Sequence, residues 1–320
     1  SRGLGDVYKR QGILSMVIVK TIMVAWTVIA WLISLFYWTF YVLSAFATSE
    51  HATLYASIVF IILFFMGLWV NVFLDTFFSA AIVRIVHDWY RSPDVDVASF
   101  SKGIKKAWEV SGNLAKYALF FATLSFLIHM ARSYARRGRG AGALAARIVA
   151  WIMGIAEDVI KFLGFYMIPA MVIRKAGFKS AFRDSVHKLR DLFIETLAGM
   201  FGFEIVLGFL AFITATSIGI IGYFIGIYLF SPLFVNVDPT MMGLATGIGL
   251  FVLSLIPIGL ATAAVSVAWK TILYEYGLDI EFASAGVSLP SRLPDDVKEK
   301  FAKLIEERRV AVPAAPPTKA

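Results

Sequence analysis

Met241-MGLATGIGLFVLSLIPIGLATAAVSVA-Trp269 runs for 29 residues without one charged side chain. As a helix it would be about 43 Å long, more than the roughly 30 Å of hydrocarbon in a bilayer. Its apolar residues follow neither a one-sided stripe nor a two-residue alternation, so it fits no half-buried element of a soluble domain. A segment of this kind must pair its backbone groups internally in lipid, and a helix does that. The rest of the chain has the same character. Its 320 residues are 59% hydrophobic and 16% charged, with mean hydropathy +0.76. Soluble domains run nearer 45–50% apolar and about 25% charged. The sequence therefore predicts an all-α integral membrane protein.

Outward from 241–269, further spans are expected near 21–47, 53–86, 114–131, 148–173 and 193–216. Lys and Arg mark the cytoplasmic ends of spans. Four precede 21–47, six lie between Arg84 and Lys116, six between Arg174 and Arg190, and eight from Lys270 onward. The loops around 49–52 and Asp238 carry none. This pattern predicts six crossings in the plasma membrane with both termini cytoplasmic. One loop breaks the rule: Arg132, Arg136, Arg137, Arg139 and Arg147 fall outside in that arrangement. The alternative has four crossings, with 114–131 and 148–173 dipping in and returning. The 43 residues 193–235 are too long for one crossing, so the helix is expected to break near 217 and continue along the outer interface or re-enter.

The polytopic domain is expected to occupy 12–282. Residues 1–11, Ser-Arg-Gly-Leu-Gly-Asp-Val-Tyr-Lys-Arg-Gln, look like translated sequencing adaptor rather than native protein. Residues 283–320 form a cytoplasmic tail, with a short amphipathic helix from Pro294 and a Pro/Ala-rich disordered end. Two internal segments, 97–113 and 178–192, set an apolar stripe against Lys102, Lys105 and Lys106, and against Lys179, Arg183, Lys188 and Arg190. They read as helices on the inner face whose basic sides meet anionic lipid headgroups; packing on the bundle itself is the competing reading.

Polar side chains within spans are costly, about 2.5–3.5 kcal/mol for a charge at the bilayer centre, and so become candidates for function. They are Asn71 and Asp75 on the second span, Glu157, Asp158 and Lys161 on the fourth, and Glu204 on the fifth. Glu157 and Lys161 are four residues apart in the favourable order and can neutralise each other. Asp75, Asp158 and Glu204 either line a shared polar track for a cation, proton or small solute, or tie the bundle together by interhelical hydrogen bonds. Glu204 heads a stripe of Gly208, Ala211 and Ala215 suited to close helix contact. Pro257, three residues after Ser254, is expected to kink the sixth span. Gly222–Gly226 and Gly243–Gly247 have the spacing of helix-dimer motifs, a weak signal in Gly-rich spans.

No catalytic signature is present. Nucleophile-elbow and phosphate-loop motifs are missing, and His51, His87, His129 and His187 are scattered. With no Cys, thiolate metal sites and a Cys nucleophile are excluded. No cofactor, metal or enzymatic activity is expected. The net charge of +8 belongs to span flanks and forms no nucleic-acid-binding domain. The expected partners are membrane lipids, with a homo-oligomer or a protein partner open.

Several stretches have a familiar order: Asn71-Val-Phe-Leu, Phe165-Tyr-Met-Ile-Pro169-Ala-Met-Val-Ile, Gly177-Phe-Lys-Ser-Ala-Phe-Arg-Asp-Ser185 and Ile272-Leu-Tyr-Glu-Tyr276-Gly. Over 12–282 the chain resembles a family of prokaryotic, largely archaeal, polytopic membrane proteins built on a domain of unknown function. That resemblance implies the membrane fold and brings no substrate or site residue with it. The expected function is transport of a small solute, proton or cation. The alternative is a scaffold that binds anionic lipid or a partner through its basic inner face.

Overall fold

The computed structural model describes residues 50–92, 100–137, 141–198, 202, 204–233, 237–284 and 287. The expected first span at 21–47, the adaptor-like 1–11 and the tail helix after Pro294 lie outside them. In chain order the helices are α1 (Glu50–Arg91), α2 (Phe100–Glu109), α3 (Ser111–Arg137), α4 (Ala141–Leu163), α5 (Met167–Ile173), α6 (Phe178–Asp191), α7 (Phe193–Ala198), α8 (Glu204–Ile225) and α9 (Pro239–Ser284). No strand occurs among the described residues. Four segments are long and apolar enough to cross a membrane: Phe64–Arg91, Ser111–Ala131, Glu204–Leu233 and Pro239–Phe282. The protein is a multi-pass helical membrane protein.

The two longest helices set the architecture. At 42 and 46 residues, α1 and α9 are about 63 and 69 Å long. No common tilt contains such lengths within about 30 Å of hydrocarbon, so both project beyond it. Their C-terminal ends pair with each other, and the short helices α2, α5 and α6 close around them. The buried core lies there: Phe77, Phe78, Ile82 and Val83 of α1 meet Met167, Met171 and Val172 of α5, Leu189 of α6 and Leu273, Tyr274 and Leu278 of α9. Elsewhere α8 and the first half of α9 turn Phe209, Phe212, Ile220, Ile248 and Val252 outward, as contact with lipid requires.

Three expected boundaries are corrected. The span at 148–173 is two helices, because the chain turns at 164–166. A helix broken there orphans backbone groups, and Ser185 of α6 takes two of them. Its hydroxyl donates to Leu163 O at 2.7 Å and accepts from Tyr166 N–H at 2.9 Å. Pro169 then falls in the first turn of α5, where a missing N–H costs no hydrogen bond. Beyond α5 the chain reverses through Lys175, at φ 53°.

The second correction concerns 193–235. Helix α7 ends at Ala198, and α8 passes the expected break near 217 to reach Ile225 before a π-turn at Gly226–Phe230 and a 3-10 turn at Ser231–Leu233. Asp238 then starts α9: its Oδ1 accepts from Thr240 N–H at 2.7 Å and Met241 N–H at 3.3 Å, with Pro239 at the first helical position. The Thr240 and Met241 donors hold the Asp238 carboxyl below the usual carboxylate range. Third, α9 remains one helix through Pro257 and continues fifteen residues past Trp269 to Ser284.

Gly222, Gly226, Gly243 and Gly247 form the α8–α9 seam within one chain. A Cβ on Gly226 would stand 2.6 Å from Met242 O and 2.7 Å from Gly243 Cα, and one on Gly247 would stand 2.9 Å from Gly219 O. Only residues without side chains let the two backbones approach this closely. Of the stripe below Glu204, Gly208 has nothing within 4 Å of its would-be Cβ, whereas Ala215 is 0% exposed.

Candidate functional site

Two polar layers stand out. The deeper one locks the projecting ends of α1 and α9 together. Glu275 is 0% exposed, and its carboxylate pairs with His87 Nδ1 and accepts from Arg91 Nε at 2.7 Å. Arg91 also binds Asp279, which accepts from Tyr90 OH at 2.7 Å. Next to it, Lys188 of α6 donates to Gly277 O at 2.7 Å and to Glu281 at 2.6 Å. Arg174 bridges Asp184 and Glu281, and Tyr274 OH donates to Asp184. Every acid in this layer has a basic or hydroxyl partner. That satisfaction makes it a clamp rather than a binding site.

The second layer lies where the packed base meets the lipid-facing zone. Asp75 immediately precedes the buried run 76–83 of α1, and Lys270 immediately precedes the largely buried 271–278 of α9. Lys270 is half-buried, and its ammonium lies over the ring of Phe165, 4.7 Å from the centroid. Aromatic rings wall this region: Tyr117 packs on Phe121 at 4.4 Å, and Phe165 meets Tyr166 edge-on at 4.8 Å. The turn at 164–166, which Ser185 stabilises, is what carries Phe165 under the ammonium.

Asp75 and Glu204, read from the sequence as track candidates, are exposed on α1 and at the start of α8. Asp158 is not brought to them and stands exposed on α4. Asn71 is exposed one turn above Asp75. The side chains of Glu157 and Lys161 lie outside the described residues. Of the basic residues expected at lipid, Lys102, Lys105, Lys179, Arg183 and Arg190 are exposed. Lys106 and Lys188 turn inward instead: Lys106 bonds Glu109 at 3.0 Å, and Lys188 is 5% exposed within the clamp. On α2, Trp108 is 65% exposed, touching Phe77 edge-on at 5.3 Å.

Sequence reasoning counted Lys270 only as a charge of the cytoplasmic tail. A signal was available, because the apolar run resumes after Lys270 with Thr-Ile-Leu-Tyr, marking it as interior to a longer helix.

Residues 9–281 match the family described as plasma-membrane choline transporters. The chain belongs to that family. No curated protein matches it. The matched stretch nearly coincides with the 12–282 domain, and the choline transporter family supplies the transport class that the motifs alone did not. Both polar layers of this choline-transporter-family chain fall inside it.

Proposed function

We propose that this chain carries a small organic cation of the choline class across the plasma membrane. Asp75 and Glu204 supply the counter-charge, and Phe165 supplies an aromatic face. The observation that carries this reading is the match of residues 9–281 to the choline-transporter family, together with an ammonium seated on the Phe165 ring. That environment suits a quaternary ammonium, which gains from carboxylates at its rim and from a ring quadrupole worth about 0.5–2 kcal/mol. The work is binding and translocation, and it needs no covalent step.

The test is uptake of labelled choline into liposomes holding the purified chain. Asp75→Asn and Glu204→Gln are each expected to lower uptake about tenfold, the loss of about 1.4 kcal/mol of binding, with melting temperature retained. Wild type that moves no more choline than empty liposomes would end the reading.

The arrangement has six crossings with both termini cytoplasmic, adding 21–47 and α4 to the four segments above. Supporting it, α4 is 23 residues long and shows Ile148, Trp151, Ile152 and Val159 outward. The chain has no Cys, so Ser133→Cys creates a unique label site at the Arg-rich turn. An impermeant maleimide should label it on intact cells; protection there with labelling only after lysis would favour four crossings.

A further inference from the structure

We infer that α2, the start of α3 and the α5–α6 turn together seat the headgroup of an anionic phospholipid, with Trp108 as its membrane anchor. Two basic segments that stand apart in the sequence meet there. Asn113 Nδ2 donates to Ala176 O at 3.3 Å, and the rings of Phe120 and Phe178 lie 5.8 Å apart. The turn carrying Lys175 and the first turn of α6, carrying Lys179, are thereby held against the part of α3 that carries Lys116.

One residue separates α2 from α3, and helical hydrogen bonding runs through it. Val110 N–H donates to Lys106 O at 3.3 Å, and Leu114 N–H donates to Val110 O at 3.1 Å. The helical repeat is kept across the joint, so Lys105, Trp108, Gly112, Lys116 and Leu119 form one exposed face, opposite the buried Ala107, Val110, Leu114 and Ala118. This face changes character along its length. It starts with charge at Lys105, passes the indole of Trp108, and ends on Leu119, Phe120 and Leu127, which point outward from a helix able to span a bilayer. A membrane surface presents the same order: phosphates, then the headgroup level where tryptophan is enriched, then acyl chains. Gly112 leaves the face open between Trp108 and Lys116, since its would-be Cβ meets nothing within 4 Å.

The charges there are uncompensated. Among the described residues, Lys105, Lys116, Lys175 and Lys179 are exposed and pair with no carboxylate, whereas Lys106, Arg174, Lys188 and Arg190 each do. The neighbouring acids are engaged elsewhere: Glu109 binds Lys106 at 3.0 Å, and Asp184 binds Arg174 at 3.0 Å. Four free ammonium groups beside an outward apolar face fit a ligand with an anionic head and hydrocarbon tails.

The test places the full chain in liposomes of phosphatidylcholine and phosphatidylglycerol, with bromine on the acyl chains of one lipid or the other. Bromine quenches an indole it touches, and subtracting the signal of the Trp108→Phe protein isolates Trp108 from the other tryptophans. In wild type, brominated phosphatidylglycerol is expected to quench Trp108 at about one tenth of the mole fraction that brominated phosphatidylcholine requires. Lys105→Gln, Lys116→Gln and Lys179→Gln combined should abolish that preference, and the same three positions changed to Arg should keep it. If the triple Gln protein fails to fold, Lys116→Gln alone should about halve the preference. Inorganic phosphate at constant ionic strength should leave it intact.

Equal quenching by the two lipids, or quenching by neither, overturns the inference. So does a preference that survives the Gln variants, one that the Arg variant loses, or one that inorganic phosphate removes. None of these outcomes bears on choline uptake, so this inference and the transport reading stand or fall separately.

Discussion

Glu275→Ala should destabilise the protein by about 3–5 kcal/mol, the usual cost of removing one partner from a buried charged network. The carboxylate is fully enclosed, and its loss leaves His87 and Arg91 facing a cavity with Asp279 as the remaining acid. Glu275→Gln, which keeps the shape and one acceptor, should cost less. Arg190→Ala is the surface control: Arg190 is exposed and pairs with Asp191 at 3.4 Å, and such pairs contribute about 0–1 kcal/mol. Melting temperature in detergent separates the three variants. A paired replacement, Arg91→Met with Glu275→Leu, tests what the network is for. Recovery of stability without recovery of transport would show that the clamp serves the moving protein more than the folded one. A Glu275→Ala protein that melts with wild type would show that the α1–α9 clamp contributes little.

The second large effect is expected at Gly226→Leu. The contacts a side chain would make there, at 2.6 and 2.7 Å, are with the backbone of α9, which cannot swing aside as a rotamer can. Overpacking of this kind costs about 1–3 kcal/mol for a modest insertion, and a leucine at a backbone–backbone crossing belongs at the top of that range. Gly249→Leu, where nothing lies within 4 Å, should be tolerated. The comparison also separates two uses of the glycine motif. If the motif joined two chains, Gly226→Leu would change the oligomeric state and spare monomer stability. The seam described above requires the reverse.

Much of the fold is legible in the sequence because lipid makes one demand everywhere. Each long apolar run must be helical, and the runs at 53–86, 114–131 and 241–269 contain the middles of α1, α3 and α9. Their ends were misjudged for a shared reason. Hydropathy marks where lipid contact stops, whereas α1 and α9 continue as helices to Arg91 and Ser284, largely buried over 271–278 and with their charges paired to one another. The break at 164–166 was hidden because nothing local announces it. Its orphaned backbone groups are answered by Ser185, 22 residues on from Leu163.

The candidate site divides along the same line. Composition alone made Asp75 and Glu204 worth watching, since an acid amid apolar residues carries a cost wherever it sits. Proximity decided the rest, and proximity is set by packing. The parallel run of α1 and α9 pairs His87 and Arg91 with Glu275 and Asp279, the Ser185-capped turn carries Phe165 beneath Lys270, and the glycine seam fixes α8 against α9. The sequence by itself determined that the chain lives in a membrane as helices, because burial in hydrocarbon follows from residue type. Only the tertiary structure decided which charges meet, because contacts between elements far apart in the chain depend on how whole helices pack.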